Sequence, residues 1–341
     1  MLKTALCLFC YNINIFIFEQ QINSPKTMKS KQSVKNHRWG YLYVVLAALM
    51  WGLSGSSAKF LFNSGITPFQ LVQMRLTISA ALLFICLLIR FSSLLKISRS
   101  DILYFILFGT VGMAGVQFTY LFTISKIKVA AAILLQYLAP SFIALHSVVF
   151  MREKLNRLTL IALVGATFGC YLVVGAYNLE ILSMNIVGII SGLLSALTFA
   201  WYAIHGEYGM RRYNPWTVLF YALLFGAVVW NILHPPLEAF MHAYSPVQWL
   251  WILYIGVMGT LVPFGLYLEG INLIRSTRAS ITATIEPITA GIISYIFLNE
   301  IMEIPQITGG VIVIASIILL QLNQEQDDKA PSIIRAKSRT S

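Results

Sequence analysis

The 341-residue chain is 58% hydrophobic and only 11% charged, where soluble domains carry about 25% charged residues. So few charges cannot cover so much apolar surface in water, which excludes a soluble globular protein and leaves a polytopic membrane protein. The net charge of +11 does not point to a nucleic-acid partner, because the basic residues sit in short loops between apolar stretches rather than on one face.

Residues 1–27 differ in pattern from the remainder of the chain. The apolar run from Leu6 to Phe18 is too short to span a bilayer easily. Cys7 and Cys10 form a CxxC with no second pair, so no metal site is expected there. Met28 opens a basic segment that leads straight into the first long apolar stretch. Met28 is therefore the expected natural start, and residues 1–39 read as an extension plus a basic cytoplasmic tail.

From there the hydropathy predicts ten transmembrane helices, at 40–60, 68–89, 102–123, 129–150, 158–176, 185–205, 215–233, 248–270, 279–298 and 305–322. Each approaches the length needed to cross about 30 Å of hydrocarbon. A β-barrel would show alternating strands of about ten residues, which are absent from the sequence. Residues 323–341 form a polar tail.

The loops set the orientation. One side receives the basic groups near residues 29–38, 90–99, 152–157, 211–212, 275–278 and 329–339; the other receives only Lys126 and Lys128. The positive-inside rule then puts both termini in the cytoplasm.

The chain also repeats itself. A shift of 147 positions carries Ala132 onto Ala279, Pro140 onto Pro287, Ser147 onto Ser294, Phe150 onto Phe297 and Glu153 onto Glu300. Chance in an apolar alphabet is the plain alternative, but proline is rare inside helices. Pro68 opens span two as Pro215 opens span seven, and Trp51 has a counterpart in Trp201. A duplication places five helices in residues 40–176 and five in residues 185–322. Five is odd, so the copies face opposite ways, the inverted-repeat plan of many secondary transporters.

With ten short spans in two halves, the AALMWG segment (Ala47 to Gly52) and the two Pro-to-Glu segments, the chain resembles EamA-type members of the drug/metabolite transporter superfamily over about residues 40–322. The resemblance implies a ten-helix basket with a central cavity between the halves. It implies that spans five and ten are scaffold and a possible homodimer contact. It also suggests export. One departure is visible: Glu286 precedes Pro287, whereas Ala139 precedes Pro140.

An ionisable group costs about 2.5–3.5 kcal/mol at a membrane helix centre, so such groups usually face a cavity or a partner. Arg75, about seven residues into span two, suits anion binding through its planar fork, or snorkels to the outer interface. Lys59 is expected to snorkel. Glu286, near the midplane of span nine, suits a cavity role or a structural hydrogen bond. Glu269 and His205 read as interfacial, and His146 as a packing residue. Gln73, Gln117 and Gln136 can orient a polar solute or tie helices together. Trp51, Tyr120, Tyr137, Trp201, Tyr202, Tyr221 and Tyr267 can wall a pocket or serve as packing and interfacial belt, and Trp51 and Trp201, well inside their spans and related by the repeat, stand above the others. Pro140 and Pro287 free the carbonyls of Gln136 and Ala283 and are hinge candidates.

There is no HExxH, Walker loop or strand-linked GxGxxG, and no cofactor or metal is expected. The expectation is a secondary transporter of a small organic solute such as an amino acid, amine or related metabolite, working in the lipid bilayer by alternating access. The rivals are a membrane-embedded enzyme on lipid-linked substrates and a non-transporting sensor or assembly protein.

Overall fold

The computed structural model describes residues 30–127, 129–152, 156–173, 176–177, 185–233, 235–290, 292, 303–322 and 329–338, and every regular element among them is helical. Residues 1–27, Lys128, Glu153, Ser294, Phe297 and Glu300 lie outside the described residues, so the duplication is seen here through Ala132/Ala279, Pro140/Pro287 and their surroundings.

The first half contains α1 (Ser30–Asn63), α2 (Pro68–Arg90), α3 (Arg99–Lys126), α4 (129–149) and α5 (Arg157–Val173). The second begins with α6 (Ile186–Met210) and α7 (Pro215–Leu233). The next segment, Pro246–Ala290, is two helices. Arg275 stands at φ 67° and ψ 165° inside it, a conformation that breaks the helical ladder. The pieces are α8 (246–274) and α9 (276–290). Then come α10 (Ile304–Leu322) and a short α11 (Pro331–Ser338).

Seven segments are long and apolar enough to cross a membrane by length and composition, the broken Pro246–Ala290 counting as one. The apolar helices Arg157–Val173 and Ile304–Leu320 are shorter, about 25 Å each at 1.5 Å per residue.

Helix starts follow the local sequence. Thr67 and Gln70 form a capping box around Pro68 at the start of α2, and Ser245 and Gln248 do the same around Pro246 at the start of α8. Asn185 accepts from Val187 N at the start of α6. The side chains supply acceptors to N–H groups that the helix leaves open, and proline loses nothing at the first position.

Helix pairing is symmetric under exchange of the halves. α5 packs on α10, and α2 on α7; α1 lies against α8 as α6 lies against α3. α3 packs on α7 as α8 packs on α2. The α5–α10 contact is backbone to backbone: a Cβ on Gly169 would meet the Gly309 carbonyl oxygen at 2.8 Å. Only glycine permits that approach. Spans five and ten thus contact each other within one chain.

Two wide π-turns also match. Phe108–Ala114 lies in α3 and Val257–Leu261 in α8, and the 147-residue shift carries Ala114 onto Leu261. The core between the halves holds Phe105, Phe108, Tyr202 and Tyr267. Leu103, Ile161, Val164, Ile232 and Val311 are exposed on the outside, the surface a bilayer would cover.

At the basic end of the bundle, Glu207 near the end of α6 is 2% exposed. Its Oε1 accepts from Arg275 Nε at 3.0 Å, and its Oε2 from Ser276 N at 2.9 Å and Ser276 Oγ at 2.6 Å. Glu207 therefore satisfies the first donors of α9 where the chain turns at Arg275. Arg335 of α11 is also buried, and it donates to the carbonyls of Met210 and Tyr213 and to Asn272 Oδ1. Glu269, expected at the interface, is buried in the same region. Arg335 thus ties α11 to the carbonyl that ends α6 and to one in the turn just after it.

Candidate functional site

The site forms where two helix breaks face each other. Pro140 has no N–H to offer the Gln136 carbonyl, and α4 divides there into Val129–Gln136 and Ala139–Val149. Pro287 has none to offer Ala283, and the preceding residues Ala283–Ile285 tighten into a 3-10 turn. The shift of 147 carries one break onto the other. Tyr137, in the α4 break, reaches across to the α9 break. Its Oη lies 2.6 Å from Ala283 O and 2.8 Å from Glu286 Oε2. Tyr120 Oη, from α3, lies 3.4 Å from Glu286 Oε1.

These groups border a cavity lined by residues of both halves: Arg75, Gln117, Tyr120, Gln136, Tyr137 and Glu286 supply the polar part. Trp51, Val116, Leu121, Phe199 and Phe264 form the apolar part, with Ser54 between. The space open to water-sized centres is ≈ 30 Å³, room for about two waters at roughly 10–15 Å³ each. An organic solute would fit only after the walls part.

Arg75 does not snorkel. It is 3% exposed, with Nε donating to Thr260 Oγ1 at 2.7 Å and Nη2 to the Gly259 carbonyl at 2.9 Å. Both acceptors lie in the π-turn of α8. Thr260 Oγ1 in turn donates to the Ile255 carbonyl at 2.8 Å. A π-turn displaces backbone carbonyls from the regular ladder, and Arg75 uses one. Among the described residues Arg75 has no carboxylate partner and its Nη1 makes no hydrogen bond, so a charged donor remains at the cavity.

The two ionisable residues break the repeat symmetry. The shift of 147 carries Arg75 onto Ala222, and Glu286 back onto Ala139. The fold is duplicated, but each charge belongs to one half only.

Of the residues singled out in the sequence, Trp51, Arg75, Gln117, Gln136, Tyr137 and Glu286 come together here. The Gln136 amide has no hydrogen-bond partner among the described residues. Among the described residues Gln117 has only a long contact to Met113 Sδ, at 3.6 Å. The Trp51 indole N–H is buried without a partner among the described residues, its ring held by Phe199, Phe264 and Tyr267 at 5.0–6.0 Å between centroids.

Three do not reach the cavity. Gln73 is saturated elsewhere: it donates to Asn231 Oδ1 and the Pro235 carbonyl and accepts from Ala239 N, at 2.9–3.0 Å. It ties α2 to the segment after α7. Trp201 stacks on His205 at 3.8 Å and packs near Phe108. Tyr202 is wholly buried against Phe108 and Phe264. Lys59 donates to the Ile124 carbonyl at 2.9 Å, capping the end of α3 rather than reaching only to water.

Sequence reasoning passed over Ser54, Phe199 and Phe264. Tyr120 was legible, since it lies three residues after Gln117 on the same helix face. Phe264 had a weaker signal, the proline before it that marks an irregular stretch of span eight.

The geometry is matched by kinship. The profile of the EamA-like transporter family matches residues 38–175 and again residues 186–322. The uncharacterized inner membrane transporter YicL of Salmonella typhimurium is 29% identical over 297 residues, covering 86% of this chain and 98% of that one. An uncharacterized transporter of Archaeoglobus fulgidus is 30% identical over 285 residues, covering 83% and 96%. The pseudopaline exporter CntI of Pseudomonas aeruginosa is 24% identical over 293 residues, covering 82% and 95%. One crystal structure superposes with a TM-score of 0.64 at 17% identity, covering 83% of this chain and 96% of the other, which speaks to the fold alone.

Proposed function

The chain belongs to the EamA-like transporter family, a multi-pass membrane protein with the family domain present twice, and from that premise we propose that it is a secondary transporter of a small polar organic solute. Ten helices cross the membrane as two five-helix repeats of opposite orientation, with both termini in the cytoplasm. The halves rock about the cavity between them, and Pro140 and Pro287 mark where α4 and α9 bend. The solute is an amino acid, amine or related metabolite, and the direction is export from the cytoplasm.

The observation that carries this reading is a cavity lined by residues of both repeats. It brings a buried guanidinium, a buried carboxyl and two amides without strong partners together beside aromatic walls. Arg75 would take an anionic group, Glu286 a cationic one or a proton, and Gln117 and Gln136 the intervening polar atoms. An alternating-access protein needs such a site where the two moving bodies meet. Export draws its support from family kinship, including one relative whose name is that of an exporter.

Flux tests the proposal. Purified protein in proteoliposomes should move labelled amino acids or amines faster than empty vesicles, with saturation, and a pH gradient should drive accumulation. No flux for any solute of these classes, with the protein folded and inserted, would favour the sensor reading. Chemical conversion of a lipid-linked substrate would favour the enzyme.

A further inference from the structure

Three oxygen–oxygen contacts link the two tyrosines to the α9 break, two of them to Glu286: Tyr137 Oη to Ala283 O at 2.6 Å, Tyr137 Oη to Glu286 Oε2 at 2.8 Å, and Tyr120 Oη to Glu286 Oε1 at 3.4 Å. Each contact needs a hydrogen between its oxygens to be attractive. A phenol owns one hydrogen, a backbone carbonyl none, and a carboxylate none. Two tyrosines therefore supply two hydrogens for three contacts. Were Glu286 ionised, one contact would oppose lone pairs in a buried site. Tyr137 cannot donate to Ala283 and Glu286 at once.

We propose that Glu286 carries the third proton in this conformation and that this proton clasps the two helix breaks together. Glu286 Oε2–H donates to Tyr137 Oη, Tyr137 donates to Ala283 O, and Tyr120 donates to Glu286 Oε1. Each hydrogen then has one acceptor. The other lone pair of the Ala283 carbonyl takes the Glu286 N–H of the 3-10 turn. Proline makes the arrangement possible, because residue 287 does not compete for that carbonyl.

The surroundings agree with a neutral Glu286. Among the described residues no cation pairs with it. Arg75 on α2 is held by Thr260 and Gly259. Cys170 on α5, a titratable thiol, is near Glu286 and Tyr137 and donates to the Thr284 carbonyl at 3.9 Å, so it brings no positive charge to the carboxyl. α1 contributes Trp51 and Ser54, α6 Phe199 and α8 Phe264, none of which titrates here; α10 brings Gly310 near Ile288.

The clasp is conditional on the proton. When Glu286 loses it to entering water, Tyr137 turns its only hydrogen to the carboxylate and releases Ala283. The bond from Tyr137 to the backbone of the α9 break is then gone, and its tie to α9 passes through the Glu286 side chain, whose buried charge favours the hydrated, open cavity. A proton that binds the closed conformation more tightly than the open one shifts the population toward closed. In the transport reading, on which this role rests, the proton at Glu286 closes the cavity and its release opens it.

The test reads the protein itself rather than flux, so its failure is separable from failure of the transport reading. Infrared spectra of the wild-type protein, in a detergent without ester groups, should show the carbonyl stretch of a protonated carboxyl group at neutral pH. That band should vanish in Glu286→Gln and shift in Tyr137→Phe, which removes its hydrogen-bond acceptor. In a background without native cysteines, Ser54→Cys should react faster with a small water-soluble reagent as pH rises. Glu286→Gln, whose amide still donates to Tyr137, should keep that rate low at every pH. Absence of the band in folded protein at neutral pH, or Ser54→Cys labelling with the same pH profile in Glu286→Gln, would overturn the proposal. If Glu286→Gln does not fold, the band shift in Tyr137→Phe decides the matter.

Discussion

Arg275 donates from Nε to Glu207 Oε1 at 3.0 Å across the point where the chain leaves α8 for α9. The pair is buried, and Glu207 also holds both donors of Ser276. It fixes the left-handed turn at Arg275 from which the broken helix α9, and with it Glu286, is hung. Arg211 adds a longer contact to the same carboxylate at 3.7 Å.

Removing that carboxylate should be costly. Glu207→Ala takes the carboxylate from Arg275 Nε and from the first donors of α9, and breaking a buried ion pair from one side costs about 3–5 kcal/mol. Thermal unfolding in detergent should show a clear loss of stability for Glu207→Ala and a smaller one for Glu207→Gln. An unchanged midpoint for Glu207→Ala would mean that the turn holds itself.

Arg75 should separate binding from folding. Arg75→Lys keeps the charge but replaces the planar fork, whose Nε and Nη2 hold Thr260 and Gly259, with a single point charge. A solute anion held by a charge-assisted hydrogen bond should lose about 1.5–3 kcal/mol, roughly 10- to 100-fold in affinity. Solute titration of purified Arg75→Lys checks this. Wild-type affinity would make Arg75 only the tie between α2 and α8.

The glutamines should divide sharply. Gln136→Leu should weaken solute binding and leave stability unchanged within about 1 kcal/mol, because the amide gives up no bond. Gln73→Leu should do the reverse, since it strands the buried Ala239 N at a cost of about 1–3 kcal/mol. Paired unfolding and binding curves for the two variants decide it. Equal effects on binding would place Gln73 at the solute path after all.

Glu286→Gln should keep the fold and abolish pH-driven uphill flux. Sign and direction come from the clasp: a carboxamide behaves as the permanently protonated form, so the cavity stays closed at high as well as low pH. Uphill flux with the wild-type pH dependence in this variant would remove Glu286 from coupling.

Orientation has its own test. Glu238→Cys, in the segment after α7, should react with an impermeant reagent added outside intact cells. Lys96→Cys, between α2 and α3, should react only after permeabilisation. The opposite pattern would reverse the topology.

The hydropathy of the chain determined the membrane setting and the helix sequence, because the bilayer imposes one length scale on every span. The spacing of Pro140 and Pro287 determined that the halves are related and that α4 and α9 break, since proline removes a ladder bond wherever it stands. Residue type also marked Arg75 and Glu286, because burying a charge is expensive in any fold. Only the tertiary structure decided which polar residues share a cavity. Gln73 and Gln136 are alike in sequence, each an uncharged amide within a span; among the described residues one spends its bonds on α7 and the loop after it and the other makes none. That difference lies in partners more than 150 residues away for Gln73, and helical periodicity reports a residue's face but not what packs against it. The proton at Glu286 is of the same kind, since it depends on how Tyr137 of one half meets the broken turn of the other.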